Sequence, residues 1–127
     1  MADVNRGNRP LSPHLSIYRP QWTSSTSIFA RITGVALLGA AMLVVWWFLA
    51  ASAGPEYFAI VDGIVTSWFG DLVMFAALWA VCYHFLSGLR HLYWDTGRGF
   101  EVEKAERLSK LVVIGSVVLA LIGALVL

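Results

Sequence analysis

Two ionisable side chains, His84 and Arg31, stand in or beside long apolar stretches of this 127-residue sequence. Ionisable groups within a membrane span are energetically expensive and usually functional. His84 lies six residues before Arg90, which places it roughly 9 Å deeper along a helix. Neutral imidazole is a good iron ligand, and haem b is a membrane prosthetic group that takes one. The type and depth of His84 fit either an axial haem ligand or a buried histidine bonded to a neighbouring helix, and the spacing of its neighbours favours the ligand.

Further residues of the same helix share the face of His84. At positions i+3, i+4 and i+7 from it stand Ser87, Gly88 and His91. Gly88 leaves room for a flat macrocycle, and the propionates of a haem at His84 would point toward Arg90 or Arg31. An alternative stays open, in which His84 is a buried histidine that only hydrogen-bonds to a neighbouring helix.

The histidines of this sequence do not supply both axial ligands of one haem. Such ligands approach the iron from opposite sides of the ring, whereas His84 and His91 project from the same side of one helix. The remaining histidine, His14, belongs to a polar segment bounded by prolines. If His84 is one of two imidazole ligands, the second comes from another chain. The sequence then predicts a partner subunit that shares the haem.

A second pair of polar residues opens the first apolar stretch. Ser27 and Arg31 are four residues apart and share a helix face. A hydroxyl and a guanidinium together suit a carbonyl ligand that gains negative charge, because charge-assisted hydrogen bonds strengthen as that charge develops. A quinone undergoing reduction is such a ligand. The alternative is an ordinary helix start, with Ser27 or a nearby hydroxyl as N-cap and Arg31 reaching the interface.

The elements that must position these residues are three membrane-spanning helices. The sequence is 58% hydrophobic and 13% charged, which is more apolar than a soluble domain. About 20 apolar residues are needed to cross a bilayer, and the uncharged stretches are 32–55, 72–89 and 111–127. We predict one all-α domain, 1–127, with an N-terminal segment 1–25 and helices over about 26–53, 64–93 and 104–127. The net charge of +1 gives no indication of a nucleic-acid partner.

The basic residues predict the orientation of these helices. Short loops rich in Lys and Arg stay on the cytoplasmic side of a membrane. Of the nine basic residues, none lies between the first and second predicted helices. All nine precede or open the first helix, or lie between the second and third. The sequence predicts a cytoplasmic N-terminus and an up-down-up bundle, and its polar N-terminal segment argues against a signal peptide.

Three motifs resemble those of the succinate dehydrogenase cytochrome b subunit family. They are RPLSPHLSIY at Arg9–Tyr18, SIFARITG at Ser27–Gly34 and HFLSGLRHLYWDTG at His84–Gly97. They occur in the family's order across nearly the whole chain, and the third is the most specific. One departure is Ala30, where many members have a histidine near the haem propionates. A propionate or proton-relay role is therefore not carried over to that position.

The resemblance implies roles for individual residues. His84 matches the family's axial haem ligand. Ser27 and Arg31 match residues of the ubiquinone pocket, and Arg31 also lies near the haem propionates. We assign His91, on the face of His84, to the haem site as well.

The resemblance also implies a complex. A flavoprotein subunit oxidises succinate, an iron–sulfur subunit carries the electrons, and two small anchor subunits bind haem b and ubiquinone in the lipid bilayer. This chain would be one anchor, packed against the other, in a bacterial inner membrane or a mitochondrial inner membrane. Two other functions stay open. A fumarate reductase anchor would run the electrons in reverse, and a cofactor-free structural anchor would use His84 only to bond a neighbouring helix.

Overall fold

The computed structural model describes residues 18–126. They form four helices, which are α1 (Trp22–Ala53), α2 (Pro55–Val65), α3 (Trp68–Asp95) and α4 (Val102–Val126). Helices α1, α3 and α4 are long and apolar enough to cross a membrane. At 1.5 Å per residue they measure about 48, 42 and 38 Å, against a hydrocarbon core of about 30 Å. The predicted all-α class with three spans is confirmed, whereas His14 and most of the first motif lie outside the described residues.

The connection between α1 and α3 is itself helical, where the sequence predicted no helix over about 54–63. Gly54 has a φ of 134°, a value that favours glycine, and Pro55 then opens α2 with a backbone already suited to a first helical turn. Phe58, Val61 and Val65 recur at helical spacing and face inward. This short periodicity explains why the segment folds as a helix.

Two tryptophans hold α2 against α1. Trp47 Nε1 donates to Asp62 Oδ1 at 3.0 Å, and Trp46 Nε1 donates to the hydroxyl of Tyr57 at 2.8 Å. The structure gives each indole N–H a definite partner on α2, so α2 is fixed to the bundle at this end.

Helix α3 begins directly after α2 because Ser67 caps it. The Ser67 hydroxyl accepts a hydrogen bond from the backbone N–H of Gly70 at 3.1 Å. A Cβ at Gly70 would overlap the carbonyl oxygen of Val65, so only glycine fits this turn. The turn sets the start of α3, and therefore the height at which His84 stands in the bundle.

The three long helices run up, down and up. The start of α1, the end of α3 and the start of α4 meet at one end of the bundle, where Arg90 donates to the hydroxyls of Thr26 and Ser109 at 2.7 and 2.9 Å. At this end Lys110 also lies 5.7 Å above the ring of Trp22. By the distribution of basic residues, this is the end predicted to face the cytoplasm.

Charged side chains surround the turn that leads into α4. Lys104 pairs with Glu101 at 3.0 Å, and Arg107 pairs with Glu103 one helical turn apart, all four side chains being exposed. A backbone hydrogen bond, and then the Lys104 ammonium, lower the pKa of Glu101. These exposed pairs contribute little to stability. They keep the turn solvated.

The buried core is small, and most of its residues have small side chains. Only 6% of the most apolar window of α1 is buried within the chain, compared with 22% for α4. The exposed surface of α1 is therefore mainly apolar. In a bilayer such a surface is covered by lipid or by helices of another subunit.

Candidate functional site

A cleft of about 340 Å³ opens between α1 and α3 near the end of the bundle where α1 begins. Its lining residues are Ser27, Ala30, Arg31, Gly34, His84, Ser87, Gly88 and His91. All four site residues predicted from the sequence line this one cleft, together with the two residues expected to share the face of His84. Helical periodicity predicted which residues of α1 share one face and which residues of α3 share another. The packing of the two helices brings these faces together.

The ring of His84 is held against the backbone of α1. Its Nδ1 lies 3.0 Å from the carbonyl oxygen of Ala30, and the Thr33 hydroxyl is at 3.4 Å. Because a carbonyl oxygen only accepts hydrogen bonds, Nδ1 carries the proton in this contact. In the neutral ring Nε2 then has a free lone pair, and it has no hydrogen-bond partner among residues 18–126.

The close approach of His84 to α1 depends on Gly34. A Cβ at position 34 would lie 3.0 Å from His84 Cε1, closer than most real contacts of this kind. Gly88, which the sequence suggested as the residue making room, has no heavy atom within 4 Å of its virtual Cβ. Gly34 therefore accommodates the imidazole, while Gly88 borders open space in the cleft.

These features fit an axial haem ligand. A metal-binding histidine almost always donates its second ring N–H to a carbonyl or carboxylate, which fixes the ring and makes the ligating nitrogen more basic. The contact between His84 and Ala30 provides this donor pattern. A hydrogen bond to a neighbouring helix was also the alternative to haem binding, but it uses one ring nitrogen and leaves the other available.

Ser27 is not the N-cap of α1. The cap is Gln21, whose backbone N–H donates to Ser24 Oγ at 3.2 Å. Ser27 lies beyond this first turn, and its hydroxyl forms no hydrogen bond within the described part of the chain, whereas the hydroxyl of Thr26 bonds to its own helix. The structure thus excludes Ser27 as the cap and leaves its hydroxyl available to a ligand in the cleft.

Arg31 supplies the positive charge of the cleft. It is exposed, and it pairs with no carboxylate among residues 18–126. If α1 ends at the opposite membrane surface near Ala53, a core of about 30 Å extends back to about Thr33. Ser27 and Arg31 then lie at the level of the lipid headgroups, where water is within reach.

His91 lines the cleft one helical repeat closer to the predicted cytoplasmic surface than His84. Its Nδ1 lies 3.0 Å from the carbonyl oxygen of Ser87, and its ring meets Trp94 edge to face at 5.5 Å between centroids. The proton of Nδ1 is therefore directed into its own helix. The two histidines share one wall of the cleft, as their i, i+7 spacing predicts.

Of the two arginines toward which haem propionates were expected to point, Arg31 lines the cleft and Arg90 does not. Arg90 is only 3% exposed, and its guanidinium donates to Thr26, Ser109 and, at 3.4 Å, Ser87. Its charge also lies 4.8 Å above the ring of Trp94. The position of Arg90 on the helix turns it inward between the three spans, so among residues 18–126 Arg31 is the arginine that lines the cleft.

The sequence reasoning missed Tyr83. Its ring is 1% exposed, and its hydroxyl donates to the carbonyl oxygen of Thr26 at 2.9 Å. A tyrosine within an apolar run could have indicated this contact, because a buried O–H needs a partner. The identity of that partner depends on how α1 and α3 are rotated against each other.

The fold and the cleft define a three-span helical membrane anchor with a histidine-lined site near one membrane surface. A model of the family of succinate dehydrogenase/fumarate reductase transmembrane subunits matches residues 5–124, and the chain belongs to this family.

Several curated proteins are similar over most of their length. A succinate dehydrogenase cytochrome b556 subunit of Paracoccus denitrificans is 50% identical over 126 residues, which cover 99% of this chain and 97% of that protein. The cytochrome b556 subunit of Rickettsia conorii is 38% identical and is matched over 89% of its length, with 90% of this chain covered. A cytochrome b560 subunit of Marchantia polymorpha is 36% identical, with 91% of this chain and 88% of that protein covered.

Proposed function

We propose that this chain is the cytochrome b anchor subunit of a succinate dehydrogenase. It would hold haem b together with a second anchor subunit and form part of the site where ubiquinone is reduced. The observation that carries this proposal is the contact between His84 Nδ1 and the Ala30 carbonyl, which leaves Nε2 as a free ligand atom beside an open cleft.

Haem b, when bound, supplies one-electron redox chemistry through its iron. The cleft provides residues that would hold this group. His84 Nε2 would ligate the iron, with the Ala30 carbonyl orienting the imidazole and Gly34 leaving room for it. His91 lines the same cleft, and Arg31 offers a cation to the propionates. Because His91 projects from the same wall as His84, a second imidazole ligand would come from the partner anchor subunit.

Ubiquinone binding is assigned to the α1 side of the cleft. Ser27 donates a hydrogen bond to one carbonyl oxygen of the quinone, and Arg31 stabilises negative charge that develops on the oxygens during reduction. Such charge-assisted bonds strengthen as the charge grows, so they lower the barrier more than they tighten substrate binding. At headgroup level, protons for the quinol reach the site from the predicted cytoplasmic side.

The remaining subunits follow from this assignment. A flavoprotein subunit oxidises succinate, and an iron–sulfur subunit passes electrons one at a time to the membrane site. The family description covers both succinate dehydrogenases and fumarate reductases. The relatives described above are named as succinate dehydrogenase subunits, which favours succinate oxidation over the reverse flow. We assign the chain to a bacterial inner membrane, or to the mitochondrial inner membrane if its source is eukaryotic.

The experiment is purification of the intact complex from native membranes through a tag on this chain. The expected complex contains a flavoprotein, an iron–sulfur protein and a second anchor, carries haem b in a pyridine haemochrome assay, and reduces ubiquinone with succinate. A complex that reduces quinone without haem would support the cofactor-free anchor. Fumarate reduction by quinol that is much faster than succinate oxidation would support the fumarate reductase anchor. Either result would contradict the proposal.

A further inference from the structure

Thr26 is held from helix α3 at two separate atoms. Its carbonyl oxygen accepts a hydrogen bond from the Tyr83 hydroxyl at 2.9 Å, and its Oγ1 accepts one from Arg90 NH1 at 2.7 Å. All three residues are nearly fully buried, with 1–3% of their surface exposed. Two buried polar side chains of α3 therefore bind the same residue of α1.

The bonded carbonyl belongs to the peptide unit that joins Thr26 to Ser27. This peptide is planar and rigid, so a displacement of its oxygen also moves the Cα of Ser27. One turn later the carbonyl of Ala30, which joins it to Arg31, accepts from His84 Nδ1 at 3.0 Å. Side chains of α3 thus hold the two α1 peptides that lead directly into the two proposed quinone ligands.

This part of α1 is packed within the bundle, where residues 23–27 are half-buried or buried. The helix is about 48 Å long, so its first turns extend beyond the hydrocarbon core. Among the contacts of these turns with α3, the hydrogen bonds to Thr26 and Ala30 are the directed ones. Directed hydrogen bonds from α3 therefore set where these turns stand.

The two residues that hold Thr26 are themselves fixed. The Tyr83 ring meets Phe29 edge to face at 6.2 Å and lies 5.7 Å from the ring of Trp79. Arg90 is also bound to Ser109 on α4 at 2.9 Å and lies over Trp94. Rigid supports of this kind are what a ligand-binding hydroxyl needs, since a misplacement of about 1 Å weakens its hydrogen bond to the substrate.

We propose that Tyr83 and Arg90 are positioning residues, which fix Ser27 in the quinone cleft by holding Thr26. This inference rests on the proposed role of Ser27 as a quinone ligand. Neither residue touches the quinone. Their contribution is to keep the Ser27 hydroxyl at the height and rotation where it meets a quinone carbonyl.

The test is a double-mutant cycle on the purified complex with ubiquinone as the acceptor. Tyr83→Phe removes only the hydroxyl. We expect it to raise the KM for ubiquinone about three- to tenfold, the usual range for the loss of one hydrogen bond, with succinate oxidation by an artificial dye and haem content unchanged. Because Tyr83 acts through Ser27, the same change in a Ser27→Ala background should raise the KM no further.

The control is Ser116→Ala on α4. Ser116 is also fully buried, but its hydroxyl donates only to the Val113 carbonyl of its own helix at 2.8 Å. We expect this variant to keep the wild-type KM for ubiquinone. If the Tyr83→Phe complex does not assemble, Thr26→Val, which removes the oxygen that Arg90 binds, enters the same cycle with the same expectation.

The outcomes separate the two proposals. The positioning role is overturned if Tyr83→Phe raises the KM for ubiquinone equally in the wild-type and Ser27→Ala backgrounds, or does not raise it in the wild-type background. Ser27 would remain a ligand in both cases. A Ser27→Ala complex with the wild-type KM would instead remove the quinone role of Ser27, and the positioning inference with it.

Discussion

The imidazole Nδ1 of His84 lies 3.0 Å from the carbonyl oxygen of Ala30, so a side chain of α3 is bound to the backbone of α1. This contact joins the two walls of the cleft. On one wall the free nitrogen of His84 is available to a metal, and on the other the peptide of Ala30 leads into Arg31. This hydrogen bond therefore links the proposed haem ligand to the α1 wall that carries Ser27 and Arg31.

Arg31→Ala should depress quinone reduction by the complex about tenfold or more, because the loss of one charge-assisted bond costs about 1.5–3 kcal/mol when it acts in the rate-limiting step. Succinate oxidation by an artificial dye should be unchanged, since that reaction does not use the cleft. The control is Arg107→Ala, which removes another exposed arginine near the same membrane surface. Equal quinone rates in wild type and Arg31→Ala would remove the assignment of Arg31.

Gly34→Ala should displace the imidazole of His84, because the added Cβ would lie 3.0 Å from His84 Cε1. We expect a changed haem absorption spectrum or a loss of haem from the purified complex. The matched control is Gly39→Ala in the same helix, where a Cβ meets no heavy atom within 4 Å. Both changes raise helix propensity alike, so a haem spectrum that responds equally to both would show that the approach at Gly34 does not position His84.

Asp62→Leu should loosen α2, since it removes the acceptor that Trp47 Nε1 binds at 3.0 Å. The expected loss is about 1–2 kcal/mol, seen as a lower midpoint in thermal dissociation of the complex. Asp62→Asn keeps an oxygen acceptor and should lose less. Quinone reduction below the midpoint should stay at the wild-type rate, because Asp62 lies at the opposite end of α1 from the cleft. If both variants melt like the wild type, this hydrogen bond does not stabilise the bundle.

Hydropathy and helical periodicity predicted the spans and the composition of each wall. Ser27 and Arg31 share a face because they are one turn apart, and the same argument placed His84 with Ser87 and His91. These predictions needed only the geometry of single helices. All five residues line the cleft in the structure.

Contacts between helices could not be predicted from the sequence, because they depend on how each helix is rotated about its axis. Arg90 was predicted near the cleft and is instead buried between three helices. Tyr83 contacts Thr26, and Gly34 makes room for His84, only because of the way α1 and α3 pack together. Helix α2 was missed because eleven residues around a Gly-Pro turn carry too short a periodicity to separate it from a loop.

The axial ligation of the haem in the purified complex, measured by near-infrared magnetic circular dichroism, tests the role of His84 most directly. We predict bis-imidazole ligation in the wild type and in His91→Ala, its loss in His84→Ala, and its partial return when free imidazole is added to His84→Ala. A His84→Ala complex that keeps the wild-type bis-imidazole signal would show that another residue ligates the iron, and would contradict the account.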